Sequence, residues 1–268
     1  MRNEILEPVG ACVVDVDAGG LHDDDVDVLR ALLAEHGVLL LRDQRVDDDG
    51  FVAFLRAFGP LAFTKGETHV DGHPDLNVVS NVGRATPPKS SYHVDTSYVA
   101  RPPAYTALRA VTIPAQGGAT LFTNQYRAYE TLPEDVKTRL DGRSITHVAT
   151  GVELGPEDEA AAEHPIFRPH PVTGRTALYL STAKRCAAIS GMDDDEAAAT
   201  IAFLLDHSTR EDNTYRHAWA TGDVVMWDNG AVLHKADHSG TVGDRVLHRG
   251  MVAAYAPARD RLGEGEER

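Results

Sequence analysis

Apolar positions along the chain follow two periods, and the change between them divides it. Val26, Leu29, Leu32 and Leu33 recur at helical spacing, and a turn at Gly37 leads into the unbroken apolar run Val38-Leu39-Leu40-Leu41. This predicts an amphipathic helix followed by a buried strand. Phe51, Phe54, Leu55 and Phe58 form a second helical stripe that stops at Gly59-Pro60. Acidic triplets at Asp23 to Asp25, Asp47 to Asp49 and Asp193 to Asp195 precede helical patterns, where carboxylates favour the positive ends of helix dipoles. Beyond Pro60 the pattern becomes strand-like. It predicts strands at Leu76 to Ser80, Tyr105 to Thr112, Ala119 to Thr123, Ala177 to Leu180, Asp223 to Trp227, Val232 to Ala236 and Val246 to Tyr255. Helices are expected near Asn124 to Leu132 and Asp193 to His207. Residues 151–175 hold many Pro, Gly and Glu with little periodicity, which predicts a long loop of the kind that forms lids. The whole chain, 1–268, reads as one strand-rich domain with helices packed outside.

Composition narrows the function. A chain of 268 residues buries about three quarters of its unfolded surface and needs no staple. Its two cysteines, Cys12 and Cys186, show no paired spacing and suit a reducing, cytoplasmic setting. The start, Met1-Arg2-Asn3-Glu4, leads into no long apolar run, so neither a secretory signal nor a membrane span is expected. A formal charge of -15 argues against general binding of nucleic acid or anionic membranes. A small anionic substrate remains compatible, because a local arginine cluster overrides the overall field.

Two blocks carry candidate chemistry. His93-Val94-Asp95 is followed by Thr120, twenty-seven residues after the histidine, and His234 is followed eleven residues later by Arg245-Val246-Leu247-His248-Arg249. Two histidines and a carboxylate hold a ferrous ion on one face and leave the other open. An arginine fork nearby grips a dicarboxylate through two parallel charge-assisted hydrogen bonds. The His-x-Asp pattern alone discriminates little, since it occurs four times. His22/Asp24 sits at a helix start and reads as a cap, His73-Pro74-Asp75 as a turn, and His69/Asp71 as part of a polar loop. His93/Asp95 is set apart by the proline pair Pro102-Pro103 and the long strand that follow it. Residues i and i+2 of a strand point the same way, so both side chains reach one ion. For the third ligand His234, His238 and His248 compete. His238-Ser239-Gly240 reads as a turn, His248 lies between two arginines, and His234, on the apolar strand after Trp227-Asp228-Asn229, is the best choice. Arg245 and Arg249 share one strand face by parity, which favours a pocket role for Arg249 over a surface ion pair.

With these blocks in this order, the chain resembles the TauD/TfdA family, the taurine and 2,4-dichlorophenoxyacetate dioxygenases dependent on iron(II) and 2-oxoglutarate. Further matching runs are Gly37 to Gln44, Phe58-Gly59-Pro60-Leu61, Gly117 to Asn124 and His170-Pro171-Val172-Thr173-Gly174-Arg175. The resemblance implies a mainly β fold with flanking helices around a double-stranded β-helix, a cupin-like jelly roll. It implies that His93, Asp95 and His234 ligate Fe(II), that Thr120 and Arg245 hold the far carboxylate of 2-oxoglutarate, and that Arg249 grips the acidic group of the primary substrate. The implied activity is oxidation by O2, most simply hydroxylation, of a small anionic or zwitterionic molecule, with 2-oxoglutarate converted to succinate and CO2. The carboxylate of Asp95 separates the chain from halogenating relatives, which carry a small residue there so that chloride binds. Family members often form homo-oligomers, so self-association is expected.

Around the substrate the match departs from the sulfonate-specific members. Those have a histidine and a tyrosine where this chain has Thr64 and Glu67, flanked by Lys65, and an asparagine where it has Lys89. A site built to hydrogen-bond a group rejects analogues by leaving polar atoms unpaired, so taurine is not the expected substrate. Lys65, Glu67 and Lys89 suit a larger acid, anionic or zwitterionic, such as an amino acid derivative. Tyr92 either lines the pocket or packs beside it, and Ser181 and Thr182 lie near its mouth without an assigned role. Two other classes compete: a non-catalytic metal-binding jelly-roll sensor and a zinc hydrolase using the same three ligands. Neither explains Arg245.

Overall fold

The acidic triplets start helices as charge and capping require. Asp47 and Asp193 each accept a hydrogen bond at 2.9 Å from a backbone N–H three residues on, at Gly50 and Glu196. His22 precedes the first helix as its N-cap, with its N–H held by Asp25 at 3.2 Å. The computed structural model describes residues 1–64, 66–84 and 90–255. In chain order these hold β1 (Arg2–Ile5), β2 (Ala11–Val14), α1 (Asp23–His36), β3 (Val38–Leu41), α2 (Asp48–Phe58), β4 (Leu61–Ala62), β5 (His69–Val70), β6 (His73–Ser80) and β7 (Tyr105–Thr112). There follow β8 (Thr120–Asn124), α3 (Gln125–Glu130), α4 (Glu134–Leu140), β9 (Ser144–Val148), β10 (Ala161–Pro165), β11 (Phe167–Pro169), β12 (Thr176–Leu178) and β13 (Cys186–Ile189). The chain continues through α5 (Asp194–Ser208), β14 (Thr214–His217), β15 (Val224–Asp228), β16 (Val232–Ala236) and β17 (Val246–Val252).

A large sheet runs β1-β2-β3-β15-β7-β17-β6-β5, with β4 also on β17, and a small sheet runs β14-β8-β16. Side-chain alternation explains why β3, β7 and β15 are apolar on both faces. Leu39, Leu41, Ala107, Val224 and Met226 pack with Leu29, Leu33, Phe51, Phe54 and Phe58 of the two N-terminal helices. Val38, Leu40, Leu108, Val225 and Trp227 point the other way and join Phe122 and Val232 of the small sheet in a second core. Two sheets closed over one core form the expected jelly roll. Gly37 is required where α1 meets this core. Its φ is 76°, and a Cβ there would come within 2.7 Å of Val232 Cγ2.

Three local expectations are corrected. Residues 151–175 do not form a continuous loop: Ala161–Pro165 pairs with β9, and Phe167–Pro169 pairs with β12. The strand facing β9 alternates exposed and covered positions, but its covered positions are Ala162 and His164, so the sequence shows no apolar alternation there. His73-Pro74-Asp75 is not a turn but the start of β6. Its ladder with β17 begins only at Asn77, so the missing N–H of Pro74 costs no bond there. His93-Val94-Asp95 is not a strand. A single bridge at His93 is followed by a turn from Asp95.

Candidate metal and co-substrate site

His93 and His234 are held opposite each other by reciprocal backbone hydrogen bonds of 3.0 and 3.1 Å. On the far side of β16, His234 pairs with Phe122 of β8, and Ala236 pairs with Thr120. One ladder therefore carries His93, His234 and Thr120 across the small sheet. Ligand atoms of His93, Asp95 and His234 lie within 4.8 Å of one another. His93 Nε2 is 3.5 Å from Asp95 Oδ1, and His234 Nε2 is 3.8 Å from Asp95 Oδ2. His93 Nδ1 lies 2.8 Å from the Ser91 carbonyl, which fixes the proton on Nδ1 and leaves the Nε2 lone pair toward the carboxylate. His248 projects from β17 to the opposite side, with Nδ1 2.6 Å from Asp48 Oδ1, and His238 lies outside the cluster.

Burial is the largest influence on the charge of these groups. It pushes His234 down to about 3, so that imidazole is a neutral donor around pH 7. Burial opposes the charge of Asp95, but the two histidines and Arg249 outweigh it and hold the carboxyl well below the usual carboxylate range. Thr106 Oγ1 donates to Asp95 Oδ2 at 2.8 Å, and Asn229 Nδ2 donates to Thr106 Oγ1 at 2.9 Å. Two imidazoles and one ionised carboxylate form the donor set that suits a ferrous ion.

Arg245 is 2% exposed. Its Nε donates to the Gly118 carbonyl at 2.8 Å, and its Nη2 donates to Thr120 Oγ1 at 3.3 Å. Trp219 Nε1 donates to the same hydroxyl at 3.0 Å, so Thr120 accepts from both and keeps its own proton to donate elsewhere. Gly118 has a φ of 71°, and a Cβ there would lie 2.9 Å from Arg245 Cδ. Burial lowers Arg245 to about 10, which leaves it charged at neutral pH. No carboxylate among the described residues pairs with it. A buried guanidinium without a counter-charge is costly, and the far carboxylate of a bound dicarboxylate relieves that cost.

Arg249 lies on β17, which begins just after Arg245, with Nη1 3.8 Å from Asp95 Oδ1. Its Nε donates to Asn77 Oδ1 at 3.0 Å and its Nη2 to Glu67 Oε1 at 3.1 Å. The structure thus brings Glu67 to Arg249. Thr64 Oγ1 is 3.3 Å from Thr96 Oγ1, one residue past Asp95. Tyr92 lies under Lys235, whose Nζ is 4.6 Å from the ring centre. Together with His93, Thr182, Lys184 and Arg185 they line an open cleft of about 790 Å³. Ser181 Oγ accepts from the Val94 N–H at 3.4 Å, a structural contact. Lys65 and Lys89 lie outside the described residues. Sequence reasoning missed Thr106, Asn77, Trp219 and Arg185. Asn229 was visible within the Trp227-Asp228-Asn229 run, but its contact needs the pairing of Trp227 with Thr106 across β15 and β7.

Comparison with known proteins identifies the family. The family model described as "Taurine catabolism dioxygenase TauD, TfdA family" matches residues 3–251. An α-ketoglutarate-dependent 2,4-dichlorophenoxyacetate dioxygenase from Cupriavidus pinatubonensis is 30% identical, covering 91% of this chain and 94% of its own. An α-ketoglutarate-dependent sulfate ester dioxygenase from Pseudomonas putida is 30% identical, covering 87% and 82%. A solved structure described as a putative α-ketoglutarate-dependent taurine dioxygenase from Burkholderia xenovorans superposes with a TM-score of 0.85 at 32% identity, covering 96% and 93%.

Proposed function

The chain belongs to the TauD, TfdA family and is an iron(II)- and 2-oxoglutarate-dependent oxygenase, and we propose that His93, Asp95 and His234 hold its iron, with Thr120 and Arg245 on 2-oxoglutarate and Arg249 on the substrate. The observation that carries this is Arg245, a buried cation without a carboxylate partner among the described residues, fixed on Thr120, whose strand pairs with that of His234. When bound, iron supplies oxygen activation coupled to loss of CO2 from 2-oxoglutarate, leaving succinate. The protein's own residues position. Arg245 and the Thr120 hydroxyl receive the far carboxylate, and the Asn229–Thr106 chain holds the Asp95 carboxylate in place. Arg249, beside Asp95, receives an acidic group of the substrate and sets its carbon near the metal.

Relatives that act on 2,4-dichlorophenoxyacetate and on sulfate esters support a small anionic substrate. Thr64 and Glu67 border its site, and Glu67 is the group through which a zwitterion would be read. Among the described residues no helix is long and apolar enough to cross a membrane. Two free thiols, Cys12 and Cys186, support a cytoplasmic setting.

Adding ferrous iron and 2-oxoglutarate anaerobically should produce the weak visible charge-transfer band of a chelated complex. Titrating in aryloxy acids, sulfate esters, sulfonates and amino acids should shift that band with one compound class and, once oxygen is admitted, yield succinate. Iron binding with no band would defeat the assignment of Arg245 and Thr120. A sensor would give a band but no succinate.

A further inference from the structure

The formal charge of the chain is -15, yet among the described residues the cleft beside His93 is lined by three cations and no carboxylate. Two of these cations contact the segment that carries His93 and Asp95. Arg185 Nη1 donates to the carbonyl of Val94, between the two ligands of that segment, at 3.1 Å. Its Nε donates to Thr150 Oγ1 at 3.4 Å, and its guanidinium stands 5.7 Å from the Tyr98 ring centre. Lys235 follows His234 on β16 and lies over Tyr92, the residue before His93. Lys184 is exposed at the rim. No carboxylate among the described residues is paired with any of the three. Other described cations, such as Arg45, Arg101 and Arg168, also have no carboxylate partner, so it is the grouping of the three on one cleft wall that counts. A cluster of three such cations, on the wall of a cleft ending at His93, is a field aimed at an incoming anion.

Arg249 stands away from this cleft, next to Asp95 and not among the cleft's lining residues. Resting on the reading that Arg249 holds one acidic group, we propose that the cleft is a second anion subsite and that the substrate is a dianion. One acid of an extended organic molecule sits on Arg249. A second, at its far end, sits among Lys184, Arg185 and Lys235. The occupant is an aryl or alkyl acid with a distal carboxylate, sulfonate or sulfate. The volume of about 790 Å³ accommodates such a molecule and is generous for a compact acid the size of taurine.

Phenoxyacetate and 4-sulfophenoxyacetate form a matched pair that differs only in the distal charge. Their dissociation constants follow from the shift of the visible band of the anaerobic iron and 2-oxoglutarate complex, and independently from equilibrium dialysis against the protein alone. The sulfonated probe should bind about tenfold more tightly at low ionic strength, with the advantage shrinking as salt is added. In a Lys184→Gln, Lys235→Gln double variant the ratio should fall below about threefold. Arg185 is left in place because it anchors Val94. Equal binding of the two probes, a ratio unchanged in the double variant, or no binding of the sulfonated probe by either method would overturn the subsite. A preference seen in dialysis without any visible band would uphold the subsite and defeat the co-substrate assignment instead.

Discussion

Thr106 fixes Asp95 from across the sandwich: its hydroxyl donates to Asp95 Oδ2 at 2.8 Å, and Asn229 saturates the same hydroxyl from behind. Asp95 lies in a turn rather than on a strand, and the next residue, Thr96, has a φ of 49°. Its own segment therefore supplies little orientation. The rigid partners are β7, which carries Thr106, and the end of β15, which leads to Asn229.

Replacing Thr106 with valine keeps the shape and removes the donor. Metal-ligand orientation is lost and Asn229 Nδ2 is left unpaired in a buried site. Affinity for Fe(II), or for Mn(II) as a stable surrogate, should fall roughly 10- to 100-fold. A metal titration checks this, and Thr106→Ser should restore most of the loss. Unchanged metal affinity in the valine variant would show that Asp95 is held without this bond.

Arg245→Met removes the buried cation while filling its volume. The requirement for 2-oxoglutarate should rise by on the order of a hundredfold, matching about 3 kcal/mol for one partner of a buried charged pair. Metal affinity should hardly change. Without ligand the variant should melt a few degrees higher than the parent, because an unpaired buried charge has been replaced by an apolar side chain. Thermal melts with and without 2-oxoglutarate and Mn(II) test both halves, since only the parent should gain stability from the co-substrate.

Much of this site was legible because it lies on long, strongly patterned segments. Tyr105–Thr112 and Val232–Ala236 fall where the apolar run and alternation place them. Strands such as Arg2–Ile5 and Thr214–His217 were not legible, since each has four residues and little apolar contrast. Trp219, Thr106 and Asn77 escaped for another reason. Their roles arise from contacts across 99, 11 and 172 positions of sequence, which no local pattern reports.

Acid should destabilise the metal-free protein through His147. This ring is fully buried, with Nδ1 3.0 Å from Ser97 Oγ, and burial followed by the charges of His164, Arg185 and Arg168 lowers it from 6.5 to about 3. The folded value is below the unfolded one, so the unfolded chain takes the proton first. Stability is then full above about pH 6.5 and declines as pH falls toward 3. Between pH 7.5 and pH 5 this one group should cost about 2 kcal/mol. Urea midpoints at the two pH values should show the loss in the parent and a clearly smaller one in His147→Gln. An equal loss in both would place the acid sensitivity elsewhere.

Glu67 already occupies part of the fork of Arg249, at 3.1 Å from Nη2, and is the group an incoming anion must share or displace. That carboxylate is 40% exposed, so its pairing with Arg249 is weak and easily exchanged. For a purely anionic substrate, Glu67→Gln should therefore tighten binding, by roughly two- to fivefold. Arg249→Gln should do the reverse: substrate binding should weaken sharply while consumption of 2-oxoglutarate without substrate persists. For a zwitterion the Glu67 result changes sign, because the carboxylate would then hold the ammonium group while Arg249 holds the acid. Titrating phenoxyacetate and an amino acid derivative into the parent and Glu67→Gln separates the two cases. Tightening for the first with weakening for the second identifies Glu67 as the residue that reads a positive group. Tightening for both makes it only a placeholder on Arg249.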